Sequence, residues 1–464
     1  MKLTKKIQLI QPRHIYAPAS NENIYGHIYL PTSLITAASI LKKGGIEVSI
    51  IDENITPDYE LSDIVGINLL GAPYLAVVRE FEERLQFKYN NNYTLFIGGQ
   101  IVNGLTDIDF ENLFSKRTIN GNIFKNIFIF FDIPIPNINL LEISQISTYE
   151  LIPDKHLRMY LKSEFSFYLS QGCKYSCTFC SAIRTKTIDG VKHLVKEEYR
   201  DISIAIKDLE FILEKALFFK INKLKIYLSN LDLFQSPKEL KEFASKVDQL
   251  LSKYRIQIEF RGLATVASFL KLHNNNHKLI ILLKKIGLIR VGYGIDGATA
   301  NVYKKTRKPQ TARMCLDAIR LTSEYSITPE TLMVFGHNNK EDRDSLIKAF
   351  NFCKDMLLKY NSLPRPHISK DIVPGNDGWN MKMNKNIIEQ FYNDIRLFQH
   401  LDFTTLPSEI THPDDDFRKI VSEYYIKICE LPKSLTKYTK PVDYNLPIEE
   451  QIKITKFNEN RYDL

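Results

Sequence analysis

Short apolar strands alternating with amphipathic helices run through most of this 464-residue chain, and that alternation constrains the fold more than any other feature. In the first 135 or so residues the strand-like runs are 7–10, 48–52, 64–69, 94–97 and 127–131. Residues 31–43 and 74–87 lie between them and carry apolar side chains at helical spacing. Strands of this kind, each followed by a helix, build a parallel sheet covered on both faces. The class is therefore α/β, and the first domain, residues 1–135, reads as Rossmann-like. Gly98-Gly99 closes its fourth strand, where backbone can approach a ligand.

Residues 136–163, with Pro134-Ile-Pro136 before them and Tyr149 to Pro153 within them, read as a linker lying over the next domain. From residue 164 to about 380 the strand–helix unit recurs six times. Strands are expected at 165–170, 225–229, 257–261, 289–294, 331–335 and 367–373, with amphipathic stretches such as 202–219, 237–253 and 340–358 between them. Residues 381–464 read as a C-terminal helical extension with a polar end. Asp414-Asp415-Asp416 marks a helix start, and Pro441 and Pro447 mark extended chain.

A loop follows the first strand of the second domain, in the stretch Ser170-Gln-Gly-Cys-Lys-Tyr-Ser-Cys-Thr-Phe-Cys180. Its C-x3-C-x2-C spacing places Cys173, Cys177 and Cys180 on one short segment. Three thiolates hold three irons of a [4Fe–4S] cluster and leave the fourth iron open to a substrate or cofactor. The competing reading is a zinc loop completed by a distant ligand, since no fourth Cys or His lies nearby.

Bulk properties narrow the class further. Apolar residues make up 44% and charged residues 25%, as in an ordinary globular chain. No run of about 18 apolar residues appears, so no membrane span is expected. No signal peptide is visible. With three of the six cysteines committed to the loop, a disulfide framework is disfavoured and a cytoplasmic location expected. The net charge of +8 is spread over many lysines without a dense basic block, so nucleic acid is not an expected partner.

The cysteine spacing, with Phe179 before the last Cys, resembles the radical S-adenosylmethionine (SAM) superfamily. The resemblance covers roughly residues 5–380. It implies a partial (β/α)6 radical SAM barrel over 164–380, with the active site at the C-terminal ends of its strands. The 30–41 helix, the 45–52 strand and the Phe96-Ile-Gly-Gly99 turn are similar to a cobalamin-binding domain attached to one radical SAM subgroup. The Asp-x-His-x-x-Gly signature that gives cobalt a lower histidine in many cobalamin proteins is missing. The first domain is thus cobalamin-binding-like, with cobalamin or an empty scaffold both open. His14 and His27 read as solvated loop residues.

The resemblance implies further site residues at successive strand ends. Ser229, Asn230 or Asp232 would meet the SAM amine, and Arg261 its carboxylate or ribose. Gly294 and Asp296 lie in a turn that meets the ribose, the fifth strand ends at Phe335-Gly336-His337, and Pro374 ends the sixth near adenine. A cap or loop hydrogen bond is the alternative for each polar residue alone. In this superfamily the cluster reduces SAM to methionine and a 5′-deoxyadenosyl radical, which takes a hydrogen atom from the substrate. An electron donor such as flavodoxin or ferredoxin is implied.

Two outcomes follow by resemblance. A proteusin-type peptide epimerase would quench the substrate radical with a cysteine thiol, inverting an L-residue of a ribosomally made peptide. A cobalamin-dependent enzyme would instead methylate the carbon. Epimerisation is the expectation, with Cys429 on the extension as first candidate donor and Cys353 behind it. Core packing is the alternative for both and for Cys315. The 24 Tyr and 27 Phe would line a groove for a peptide or fill the core. A non-enzymatic iron–sulfur scaffold is the remaining class and predicts no SAM cleavage.

Overall fold

The computed structural model describes residues 5–13, 29–119, 123–137, 139–181, 186–188, 191–193, 197–379 and 381–436. His14, His27, Pro441 and Pro447 lie outside the described residues. The first sheet contains β1 (Lys6–Gln11), β2 (Glu47–Asp52), β3 (Ile64–Asn68), β4 (Thr94–Gly98) and β5 (Thr118–Ile119). Their order is β2-β1-β3-β4-β5, and every pair is parallel. Helices α1 (Thr32–Lys43), α2 (Leu75–Tyr89), α3 (Asp107–Leu113) and α4 (Ile123–Phe130) accompany it. The order reverses between β1 and β3, the switch point where doubly wound sheets bind ligands beyond their strand ends.

The run at 127–131, expected as a strand, belongs to α4. An isolated apolar run does not by itself distinguish the two structures. Ile127 and Phe128 are neighbours and both enter the core formed by α1, β1 and β2. Adjacent residues of a strand would face opposite ways, whereas a helix brings both inward. Gly44 makes room, because a Cβ there would fall 2.2 Å from the Phe128 ring.

The stretch read as a linker holds α5 (Ile146–Tyr149) and α6 (Asp154–Lys162). Thr148 meets Ser39 of α1 at 2.5 Å, and the Tyr160 hydroxyl donates to Asp52 at the end of β2 (2.6 Å). Next come β6 (Glu164–Tyr168) and β7 (Ser170–Gln171), the hairpin β8 (Lys186–Ile188) and β9 (Val191–His193), and β10 (Glu198–Tyr199). β7 and β10 pair antiparallel and close the base of the cysteine-bearing excursion.

The repeating units are α7 (Ile202–Phe218), β11 (Lys223–Ser229), α8 (Pro237–Lys253), β12 (Gln257–Ala264), α9 (Val266–Lys285), β13 (Leu288–Gly294), α10 (Ala300–Lys305), α11 (Ala312–Glu324), β14 (Thr328–Phe335), α12 (Arg343–Tyr360) and β15 (Leu363–Ile368). Strand order in this six-stranded sheet is β15-β14-β13-β12-β11-β6, as a (β/α)6 partial barrel requires. The sixth strand was expected at 367–373 and lies earlier, ending at Ile368. Pro364 and Pro366 argue against a strand within a sheet, but β15 is the last strand in the order, where prolines are tolerated. Val373 to Asp377 is therefore a loop beyond the strand.

The chain divides into two compact units. One comprises 1–231, 238–260 and 370–402; the other comprises 232–237, 261–369 and 403–464. In the first, α13 (Lys385–Asn393) and the turn Ile395–Leu401 pack Phe391 and Phe398 around Trp379, whose indole donates to Asp109 of α3 at 3.2 Å. In the second, α14 (Asp415–Thr436) packs on α12 and β15. It starts within the acidic run, with the Asp414 carboxylate accepting the Phe417 N–H at 2.8 Å. Among the described residues no helix is long and apolar enough to cross a membrane.

Candidate cofactor site

β6 delivers the chain to the cysteine loop, and Gly172 turns it with φ of +85°, a conformation that suits glycine. Cys177 is buried, while Cys173 and Cys180 are partly exposed. The Cys180 N–H donates to the Cys177 carbonyl at 3.3 Å, and Phe179 is buried between the last two cysteines. Among the described residues no three His, Cys, Asp or Glu side chains gather as a metal-ion site.

The loop after β15 backs this segment. The Asp377 N–H donates to the Thr178 carbonyl at 3.4 Å, and Gly375 lies near the Ser181 carbonyl. Pro374 and Gly375 also meet Gly104 so closely that a Cβ there would fall 2.6 Å from their backbone. Pro374, expected at a strand end, is thus a buried loop residue in contact with the Rossmann-like part of the same unit. Thr178 keeps a buried hydroxyl with no hydrogen-bond partner among the described residues.

Asn230 is the second-strand residue best placed for a ligand. It is 3% exposed, and its amide nitrogen donates to the Ser170 hydroxyl at 2.7 Å. Its Oδ1 is buried and has no hydrogen-bond partner among the described residues. A buried acceptor left unmet is costly, so it marks a position where a donor belongs. Ser229 stands beside it at the strand end, half-buried.

Asp232 has a different task. Its carboxylate accepts the Thr265 and Ser268 hydroxyls at 2.7 and 2.6 Å and the Thr265 N–H at 3.2 Å. It is fully buried beneath the start of α9. Of the three candidates for the SAM amine, Asp232 is the one whose oxygens anchor a helix start.

The ends of β12 and β13 likewise pair internally. The Arg261 guanidinium lies 3.7 Å from Glu330. Asp296, at φ of +50°, is buried in an ion pair with Lys308. A Cβ on Gly294 would lie 2.9 Å from the Lys308 amine, so glycine there admits the pair. Gln310 holds the Gly294 and Ile295 carbonyls at 3.1 and 2.6 Å. Asp296 is thus bound up with Lys308, which sequence reasoning missed because the two are joined only by the folded turn.

The Rossmann-like sheet has its own candidate edge. At the β1–β3 switch point the buried Asn68 donates to Gln11 at 3.0 Å. Leu70, just past β3, is 47% exposed. Gly99 packs against the Leu69 backbone with φ of +117°. Gln100 follows it and carries a buried Nε2 with no hydrogen-bond partner among the described residues. The flanking Gly98-Gly99 was the available signal for it.

The remaining thiols lie elsewhere. Cys315 is buried on α11 against the Tyr303 hydroxyl (3.5 Å), and burial pushes it up to about 12. Cys353 is buried on α12, and burial likewise raises it. Cys429, the first candidate donor, is exposed on α14. Lys370, beyond β15, is fully buried; desolvation lowers it to about 8, partly offset by Asp402.

A cysteine loop thus follows the first strand of the six-stranded sheet, and a Rossmann-like sheet precedes it in the chain. Residues 167–350 match the model of the Radical SAM superfamily. The fold is shared with the radical SAM methyltransferase TsrM from Kitasatospora setae, solved with tryptophan substrate and a SAM analogue (TM-score 0.55, 12% identity, 76% of this chain and 71% of that one). It is also shared with the cobalamin-dependent SAM radical enzyme OxsB, solved with aqua-cobalamin and SAM (TM-score 0.57, 16% identity, 93% of this chain). This chain spans 61% of the OxsB chain. No curated protein matches the sequence significantly.

Proposed function

We propose that this chain is a cobalamin-dependent radical SAM enzyme that methylates a carbon of its substrate. When bound, the cluster, SAM and methylcobalamin together supply hydrogen-atom abstraction and a transferable methyl group. Cys173, Cys177 and Cys180 would hold three irons and leave the fourth for SAM. Ser170 fixes the Asn230 amide, whose unmet Oδ1 would accept from the SAM ammonium. Gln100 would donate to a carbonyl or phosphate oxygen of cobalamin, and the exposed Leu70 offers an apolar face to the corrin.

The observation that carries the cobalamin reading is the buried, unmet Gln100 amide beside Gly98-Gly99. The thiols support methylation over epimerisation. Inversion needs an enclosed hydrogen donor, whereas Cys315 and Cys353 are packed on helices and Cys429 faces solvent. A peptide substrate and a flavodoxin or ferredoxin donor belong to the same proposal by resemblance.

Anaerobic reconstitution with iron, sulfide and hydroxocobalamin, followed by desalting, tests it. Cobalamin should stay at about one per chain, as a one-site fit predicts. Gln100→Ala should weaken retention roughly three- to tenfold, as for a lost neutral hydrogen bond. A brown protein that releases all its cobalamin would reject the reading. Asn230→Ala should weaken SAM binding roughly ten- to hundredfold, as for a lost hydrogen bond to a charged group. Equilibrium dialysis measures this, and unchanged affinity would remove Asn230 from the site.

A further inference from the structure

Four side chains from four consecutive barrel strands meet within the second unit: Arg261 of β12, Arg290 of β13, Glu330 of β14 and Arg365 of β15. The Arg290 and Arg365 Nη1 atoms lie 3.4 and 3.2 Å from the two Glu330 carboxylate oxygens, and Arg261 lies 3.7 Å away. All sit on one face of the sheet. On the opposite face, Tyr293 bonds Thr322 of α11 and Phe335 stacks on Tyr425 of α14, so the alternation of strand residues turns the ionic group away from these helices.

The charges do not balance. Glu330 is 3% exposed, whereas the Arg290 and Arg365 side chains are 39% and 44% exposed. The two guanidiniums of Arg290 and Arg365 on one carboxylate leave one positive charge over. Neither arginine grips Glu330 with a two-pronged fork; each donates through Nη1 alone, the geometry that leaves a planar edge for a second acceptor. The Arg290 Nε is buried and has no hydrogen-bond partner among the described residues. A half-buried donor with surplus positive charge is stabilised by an oxyanion.

We propose that Arg290 and Arg365 form an oxyanion site in which a carboxylate or phosphate shares the two arginines with Glu330. Glu330 holds the guanidiniums in place and competes with the incoming anion. The site stands on these side chains alone, in the N-terminal halves of β13, β14 and β15.

The test titrates the reconstituted full chain with inorganic phosphate, and separately with succinate, at constant ionic strength, following thermal unfolding. Saturable stabilisation is expected. Phosphate acting alone identifies a phosphate site, and succinate acting as well identifies one that takes carboxylates. Arg290→Gln and Arg365→Gln should each raise the half-saturating concentration about tenfold or more, as for loss of a charge-assisted contact. Glu330→Gln keeps all three arginines and should lower that concentration severalfold. No saturable response in the wild type, or one unchanged in the arginine variants, would overturn the proposal. SAM cleavage assayed on the same wild-type sample separates failure of this site from failure of the radical SAM reading.

Discussion

Replacing Cys177 with alanine should abolish reductive SAM cleavage. Each thiolate of the loop would hold a different iron, so two remaining cysteines cannot seat the cluster with one open corner. The rate of 5′-deoxyadenosine formation should fall by more than about a thousandfold, which is about 4 kcal/mol of lost transition-state stabilisation. Iron and sulfide content of the anaerobically reconstituted protein should fall with it. Cys177 is the buried member of the three, between a Gly172 turn and the Cys180 amide, so loss of its thiolate also removes the centre of the loop. Cys353→Ala provides the contrast. That thiol is packed on α12, and its loss should lower stability while SAM cleavage continues. Nucleoside formation retained in Cys177→Ala would reject the cluster assignment.

Much of this architecture was legible because the hydrophobic periods are clean. The helix at 237–253 formed as read, with Leu240, Phe243, Ala244, Val247 and Leu250 buried along one stripe. Residues 127–131 were misread because Ile and Phe in succession suit either period until the core partner, here α1 and Gly44, is known. The sixth strand was misplaced because Pro364 and Pro366 look like breakers unless the strand lies last in its sheet. The candidate cluster cysteines, Cys173, Cys177 and Cys180, stand out in the sequence because they are local to one segment. Asn230 and Asp232 were not separable, because the deciding fact is tertiary: Thr265 and Ser268, more than 30 residues on, claim the Asp232 oxygens. The unmet Gln100 amide was equally out of reach, since lack of a partner is a property of the folded surroundings. The Arg290, Glu330 and Arg365 group was latent in strand parity, but only the registers of Gly292 to Glu330 and of Leu332 to Arg365 place it together.

Breaking the Arg200–Asp208 pair should be the most destabilising single polar change in the first unit. Both side chains are fully buried, and the pair is surrounded by backbone it must satisfy. Arg200 donates to the Ile143 carbonyl at 2.9 Å and reaches the Tyr168 carbonyl at 3.4 Å. Asp208 accepts the Ser144 hydroxyl at 2.6 Å and the Gln145 N–H at 2.9 Å. One ion pair thus ties α7 and the 143–145 segment to the end of β6, the strand that feeds the cysteine loop. Asp208→Leu or Arg200→Met leaves a buried charge without its partner, and each should cost about 3–5 kcal/mol. Removing both partners with Arg200→Met and Asp208→Leu should cost less than the two single changes combined, because no lone charge remains. Chemical denaturation of the four proteins measures the cycle, and iron loading follows the effect on the loop. Single variants within about 1 kcal/mol of wild type would show that the surrounding backbone bonds, rather than the ion pair, hold β6 in place.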